Sequence, residues 1–247
     1  LADHQASLRV LYTQNREAGL VPKKYTRHIP QAPERILDAP ELLDDYYLNL
    51  LDWGKNNVLA VALGDSVYLW NAADGGIQQL MQTQGEGEHV TSVAWAQEGY
   101  HIAVGTSGRQ GLREVKLWDA ERLKLVRTME GHTGRVSSLA WNSHILSSGS
   151  RDSTIIHHDV RIAEHKVGTL KGHTQGILSL SWCPDDTALL ASCGRDNRTL
   201  LWDVFTTQCV HELEGALGTL EELGDDGLRA RDEGLRSRDE GLRAREE

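Results

Sequence analysis

The seven tryptophans of this chain fall on two positions of one repeating unit. Trp53, Trp95, Trp141 and Trp182 each close an apolar run (LNLLDW, HVTSVAW, RVSSLAW, ILSLSW), and they stand 42, 46 and 41 residues apart. Trp70, Trp118 and Trp202 lie in a second run (SVYLWN, EVKLWD, TLLWDV), where His158 of STIIHHDV holds the fourth place. A period in the low forties with Gly-His and Trp-Asp signatures marks the blade repeat of a β-propeller. Propellers present faces to other molecules, so such a chain is expected to work by binding.

Each unit reads as four short strands separated by Gly, Asp and Asn turns such as LGDS, GSRDS and CGRDN. The units cover about residues 47–83, 88–130, 131–171 and 172–214, inside a repeat region of 41–214. The expected fold is therefore all-β, with four propeller blades. Blades of this type generally close as seven, so the propeller is expected to be truncated, with strand edges left open.

The polar residues inside a unit have a structural reading. In unit four, His173, Ser192, Asp196 and Trp202 are spaced to build a buried hydrogen-bond chain. Unit three has His132, Ser148 and Asp152, with His158 in place of the tryptophan, and units one and two lack the Gly-His pair. Buried polar groups are costly unless each finds a partner, so such a set works together. A His–Ser–Asp trio that recurs in two blades is expected to be scaffold, and no catalytic residue is assigned. His157 and His158 are strand neighbours pointing to opposite faces, so they are not expected to share a metal ion. GTSGRQGLR lacks the phosphate-loop pattern and reads as an enlarged loop. Cys183, Cys193 and Cys209 do not form a disulfide framework and read as reduced thiols. No metal and no cofactor is expected.

The repeats are flanked by two unlike ends. Residues 1–40 are polar, hold four of the five prolines and carry one apolar patch, LRVLYTQ; they read as an extended arm. Residues 215–247 end in three near-identical heptads, GLRARDE, GLRSRDE and GLRAREE. One apolar position per heptad is too few for a coiled-coil seam, and each Gly costs a helix about 1 kcal/mol. That tail is expected to be disordered or weakly helical. No secretory signal pattern is read at the N-terminus, and because the chain opens on Leu1 rather than Met, a native start is expected to precede it. No apolar run reaches the ~18 residues of a membrane span. The formal charge of −10 argues against nucleic-acid partners and suits basic peptides.

Longer stretches carry a resemblance. RVLYTQN, RHIPQAPERILDAPELLDDYYLNLLDW, NVLAVALGDSVYLWNA and RVSSLAWNSHILSSGSRDSTIIHHDVRIAEH closely resemble the WD40 propeller of Fizzy-type activators of the anaphase-promoting complex, over about residues 8–174 and nearer the mitotic branch. From His173 onward, GILSLSWCPDDTALLASCGRDNRTLLWDV is more similar to the propeller of the outer-coat scaffold subunit of COPII vesicles. The resemblance implies an adaptor that captures degrons and presents them to a ubiquitin ligase. Its partners would be subunits of that complex, degron-bearing substrates and checkpoint proteins, in nucleus and cytoplasm. It places Asp45 where the family meets the destruction-box arginine. It places Asn197 and Arg195 in the turn that reads KEN-type degrons, with Arg195 standing where the family has an asparagine and expected to repel the degron lysine. Two ligase-docking elements of the family, the C-box and a terminal Ile-Arg, have no counterpart, Glu246-Glu247 standing at the end. Binding without ligase activation is therefore expected. A coat-scaffold role, or a non-functional mosaic fragment, is the alternative that the last repeat suggests.

Overall fold

Alternation of apolar and polar residues over five to seven positions, cut by Gly, Asn and Asp, gives this sequence short strands and tight turns. The computed structural model describes residues 29–214 apart from 84, 86 and 109–112. The LRVLYTQ patch, the heptad tail and the middle of the GTSGRQGLR loop lie outside the described residues. The chain divides into two units, Leu1–Asp38 and Ala39–Glu247. Of the first, residues 29–38 carry no helix or strand and are exposed.

Among its described residues the second unit holds sixteen strands in four antiparallel sheets. The first blade is β1 (Leu51–Trp53), β2 (Val58–Leu63), β3 (Ser66–Asn71) and β4 (Ile77–Gln82). The second is β5 (His89–Trp95), β6 (His101–Ser107), β7 (Val115–Asp119) and β8 (Lys124–Met129). The third is β9 (Val136–Asn142), β10 (Ile145–Ser150), β11 (Thr154–Asp159) and β12 (Lys166–Lys171). The fourth is β13 (Ile177–Trp182), β14 (Leu189–Gly194), β15 (Arg198–Asp203) and β16 (Gln208–Glu214). Every sheet is built from four consecutive strands, paired in chain order. This is the four-blade, all-β arrangement of a truncated propeller.

In all four blades the register between the third and fourth strands slips once: at Leu117/Trp118, His157/His158 and Leu201/Trp202, immediately before the second tryptophan position, and at Val67/Tyr68, two residues earlier, in the first blade. A bulge there sharpens the twist of each outer strand. The turn residues meet backbone demands. Gly64 carries φ +59°, a left-handed conformation that costs glycine nothing. In the corresponding hairpins of the third and fourth blades the left-handed residue is the last of the turn, Ser153 and Asn197.

Three apolar cores lie between successive blades. Ala60, Ala62, Val67 and Leu69 pack with Val93, Trp95, Ile102 and Val104. Ala103, Leu117 and Met129 pack with Trp141 and Leu146. Ile155 and Leu170 pack with Leu180, Leu190 and Trp202. The innermost strand of the first blade is shorter than the apolar run YLNLLDW suggests, spanning three residues. Asn49 leaves that sheet and bridges in parallel to Ser92 on β5, donating its N–H to the Thr91 carbonyl and accepting from the Val93 N–H. Its backbone groups thus find partners on the next blade.

Candidate peptide-recognition site

The segment before β1 assembles a polar cluster at the inner ends of the third and fourth blades. Asp45 folds its own turn: Oδ1 accepts the Tyr47 N–H at 2.9 Å and its carbonyl accepts the Leu48 N–H at 3.0 Å. Four residues on from Asp45, Asn49 Nδ2 donates to the carbonyls of Ser137 (2.6 Å) and Leu178 (3.3 Å), one on each of those blades. The turn and this anchor hold Asp45, Tyr46 and Tyr47 beside the loops that carry Arg135 and Arg195.

Arg135 Nη1 donates to Asp45 Oδ2 at 3.1 Å. Two guanidinium groups lie over the Tyr47 ring, Arg195 at 4.4 Å and Arg135 at 5.6 Å from its centroid. Guanidinium over an aromatic face is a favourable cation–π arrangement. Tyr46 packs edge-on against Tyr47 at 5.6 Å and is exposed. The structure thus brings Asp45 and Arg195 to one site, linked through Tyr47. Asn197 lies in the same turn as Arg195, exposed, with φ 59°. Arg135, Tyr47 and Asn49 had no assigned role in the sequence reading. Arg135 and Asp45 stand 90 residues apart, and no local pattern joins them.

The second set of predicted residues lies within the blades. Trp202 Nε1 donates to Ser192 Oγ at 2.8 Å, Ser192 Oγ meets His173 Nε2 at 2.7 Å, and His173 Nδ1 meets Asp196 Oδ1 at 3.0 Å. An indole N–H only donates and a carboxylate only accepts, so the chain runs one way, from Trp202 through the Ser192 hydroxyl and His173 to Asp196. Burial works against the Asp196 carboxylate, but bonds from the Thr174 N–H and His173 outweigh it and lower its pKa. A Cβ on Gly194 would come within 2.5 Å of His173 Nδ1, which leaves no room for a side chain there.

The third blade builds the same chain with a different head. His132 Nδ1 meets Asp152 Oδ2 at 3.0 Å, His132 Nε2 meets Ser148 Oγ at 2.8 Å, and Ser148 Oγ meets His158 Nε2 at 2.9 Å. His158 Nδ1 then reaches His165 Nδ1 at 3.0 Å. For Asp152 too, burial opposes ionisation, and bonds from His132, Thr154 and the Thr133 N–H outweigh it, so its pKa is lowered. Burial, reinforced by the neighbouring His165, His132, His157 and Lys166, pushes His158 down to about 3. Burial alone takes His157 down to about 4. In the second blade Val104 stands where the serine would be, and Trp118 Nε1 has no protein partner.

These chains lie inside their blades, so they hold the scaffold. Asp45, Tyr46, Tyr47 and Arg195 reach solvent, so they can meet a ligand. Among the described residues no group of three or more His, Cys, Asp or Glu side chains is placed to hold a metal ion. No helix among them is long and apolar enough to cross a membrane.

Repeating four-stranded blades with Gly-His and Trp-Asp signatures define a WD40-repeat propeller protein. Two family models agree: the WD domain, G-beta repeat over residues 164–203, and the anaphase-promoting complex subunit 4 WD40 domain over residues 54–144. Within that class the chain is a homologue of the Fizzy-type activators. It is 50% identical over 203 residues to the anaphase-promoting complex subunit cdc20 of Dictyostelium discoideum, covering 80% of this chain and 40% of that protein. It is 46% identical over 202 residues to the WD repeat-containing protein slp1 of Schizosaccharomyces pombe, covering 82% of this chain and 40% of that one. A crystal structure of the mitotic checkpoint complex contains a chain similar at a TM-score of 0.71 and 45% identity, over 76% of this chain and 58% of the other. The chain spans about two fifths of the length of these relatives. A match over 82% of 247 residues cannot stop at residue 174, so the similarity runs on into the fourth blade.

Proposed function

We propose that this chain is a substrate-recognition adaptor for an anaphase-promoting-complex type of ubiquitin ligase, and that it binds destruction-box peptides through Asp45. The observation that carries the reading is the homology to cdc20, joined to an accessible carboxylate held in a fixed turn that also carries the Tyr46 and Tyr47 rings. A peptide guanidinium pairs directionally with such a group. Arg135 engages only one Asp45 oxygen through one nitrogen, so the carboxylate keeps acceptor capacity for a second guanidinium. The exposed Tyr46 ring offers that guanidinium a surface to stack on. KEN-type recognition is weak in this reading, because Arg195 sits on Tyr47 beside the turn and opposes a peptide lysine. The chain acts by binding and catalyses no reaction itself. Its partners are ligase subunits, degron-bearing substrates and checkpoint proteins, in nucleus and cytoplasm.

Fluorescence polarisation with an Arg-x-x-Leu peptide tests the proposal, with Asp45→Ala beside the parent chain. Saturable binding that weakens at least tenfold on substitution is expected. Equal binding by both proteins, or none by a folded monodisperse sample, refutes it.

A further inference from the structure

In a chain whose formal charge is −10, the turns beside the Asp45 segment carry three arginines. Arg151 and Arg195 hold the same place in successive blades, in the turns GSRDS and CGRDN between the second and third strands. Each donates its backbone N–H to the segment that enters its own blade, Arg151 to the Arg135 carbonyl at 3.0 Å and Arg195 to the Gly176 carbonyl at 2.9 Å. Gly176 lies directly against the neighbouring turn, where a Cβ would stand 2.9 Å from the Arg151 Cα. The glycine thus lets the two arginine turns sit side by side.

Other arginines are engaged within the protein. The guanidinium groups of Arg113, Arg122, Arg127, Arg135, Arg161 and Arg198 each donate to a protein oxygen. Those of Arg151 and Arg195 make no such bond among the described residues, and both side chains belong to exposed residues. The acids next to them in sequence do not neutralise them. Asp152 and Asp196 turn inward to His132 and His173, at 3.0 Å each, with side chains only 10% and 5% exposed. Asp45 is therefore the one described carboxylate that pairs with any of the three arginines, through Arg135. A peptide arginine arriving at Asp45 is a fourth cation around a single acid. Like charges in so small a space repel, and an anion carried by the same peptide offsets that cost.

We propose that the peptide this site takes carries an oxyanion side chain, carboxylate or phosphate, close to its arginine, and that Arg195 pairs with it while Arg151 adds to the attraction from the next turn. The proposal rests on the adaptor reading and names the class of peptide it selects. Arg195 is suited to the task. Its guanidinium is positioned over the Tyr47 ring at 4.4 Å, and its five N–H donors have no protein acceptor. The spacing follows from the same ring. Arg135, which marks the place of Asp45, lies 5.6 Å from the Tyr47 centroid, so the two guanidinium carbons are no more than 10 Å apart. An extended peptide rises about 3.3 Å per residue, which sets the anion within about three residues of the arginine.

The test is fluorescence polarisation with Arg-x-x-Leu peptides in which Glu, Gln or Lys is placed in turn at each position within three residues of the arginine. At one position or more, Glu is expected to bind about two- to fivefold more tightly than Gln, and Lys more weakly than Gln, the range of an exposed ion pair. High salt should erase the difference. Arg195→Glu should reverse the order, so that Lys binds best. The order is read within one protein, so a general loss of affinity does not obscure it. Phosphoserine at the preferred position distinguishes the two anions: tighter binding than Glu makes phosphate the favoured group, and equal or weaker binding makes it carboxylate. Equal binding of Glu, Gln and Lys peptides at every position overturns the proposal and leaves the adaptor reading standing. An order that Arg195→Glu leaves unchanged also overturns it. Absence of Asp45-dependent binding by every peptide overturns both.

Discussion

Acid should loosen the third blade before the rest of the molecule. His157 and His158 are almost fully buried, and burial holds them at about 4 and about 3, below the ordinary histidine value of 6.5. Both are therefore neutral in the folded chain and protonate in the unfolded one as pH falls through 6.5. A base whose folded pKa is depressed contributes stability above its unfolded pKa and loses it on acidification, here across the window from 6.5 down to 4 and 3. One pKa unit corresponds to about 1.4 kcal/mol, so going from pH 7.5 to pH 5.0 costs about 2 kcal/mol for each group and about 4 kcal/mol together. That is a large part of the ~5–15 kcal/mol that stabilises a typical domain. His165, whose pKa burial also lowers, adds in the same direction, whereas Asp152, held below its ordinary value of 3.8 in the folded chain, costs stability only once the pH falls toward that value and the unfolded chain takes up the proton. Urea unfolding at pH 7.5, 6.0 and 5.0 measures the slope. His158→Gln keeps an N–H for Ser148 and cannot titrate, so it should remove about half of the pH dependence. Ser147→Ala with His157→Leu, which copies the Ala–Leu pair of Ala103 and Leu117, should remove the other half. Parallel pH profiles for the parent chain and both variants would show that burial of these rings is not what sets acid stability.

Two further substitutions probe the other parts of the structure. Ser192→Ala removes the hydroxyl that joins Trp202 to His173 and leaves an indole N–H and an imidazole nitrogen buried without partners; a loss of about 2 kcal/mol is expected in urea unfolding. Arg135→Ala frees Asp45 of its internal cation, and an arginine peptide should then bind about two- to fivefold more tightly, the worth of a partly exposed ion pair. Weaker peptide binding would instead make Arg135 a support of the site.

How much of this was legible depends on the sequence range of each interaction. The sixteen strands follow from local alternation and turn residues, because each sheet closes within about forty residues of chain. The Trp202–Ser192–His173–Asp196 chain follows from spacing, because its members recur at fixed places in a repeat. The first strand departs from its apolar run because Asn49 finds partners on β5, and no propensity encodes that choice. Arg135 and Arg195 come to Asp45 and Tyr47 only after four blades have stacked. Both arginines sit in ordinary turn sequences that carry no mark of the partner. The family resemblance supplied Asp45 and Arg195 as separate sites; their meeting at Tyr47 is visible only in three dimensions.

Because each sheet is made of neighbouring strands, a blade can complete its ladder as soon as its own forty residues have left the ribosome. Local pairing of this kind has low contact order and forms quickly, domain piece by domain piece. The stretch from Asp45 to Asn49 is the exception. It is synthesised first, yet one of its anchors, the Leu178 carbonyl, lies 129 residues further along. The earliest segment of the repeat region is therefore the last to find its place, and the binding cluster it carries becomes complete only when synthesis of the fourth blade is well advanced.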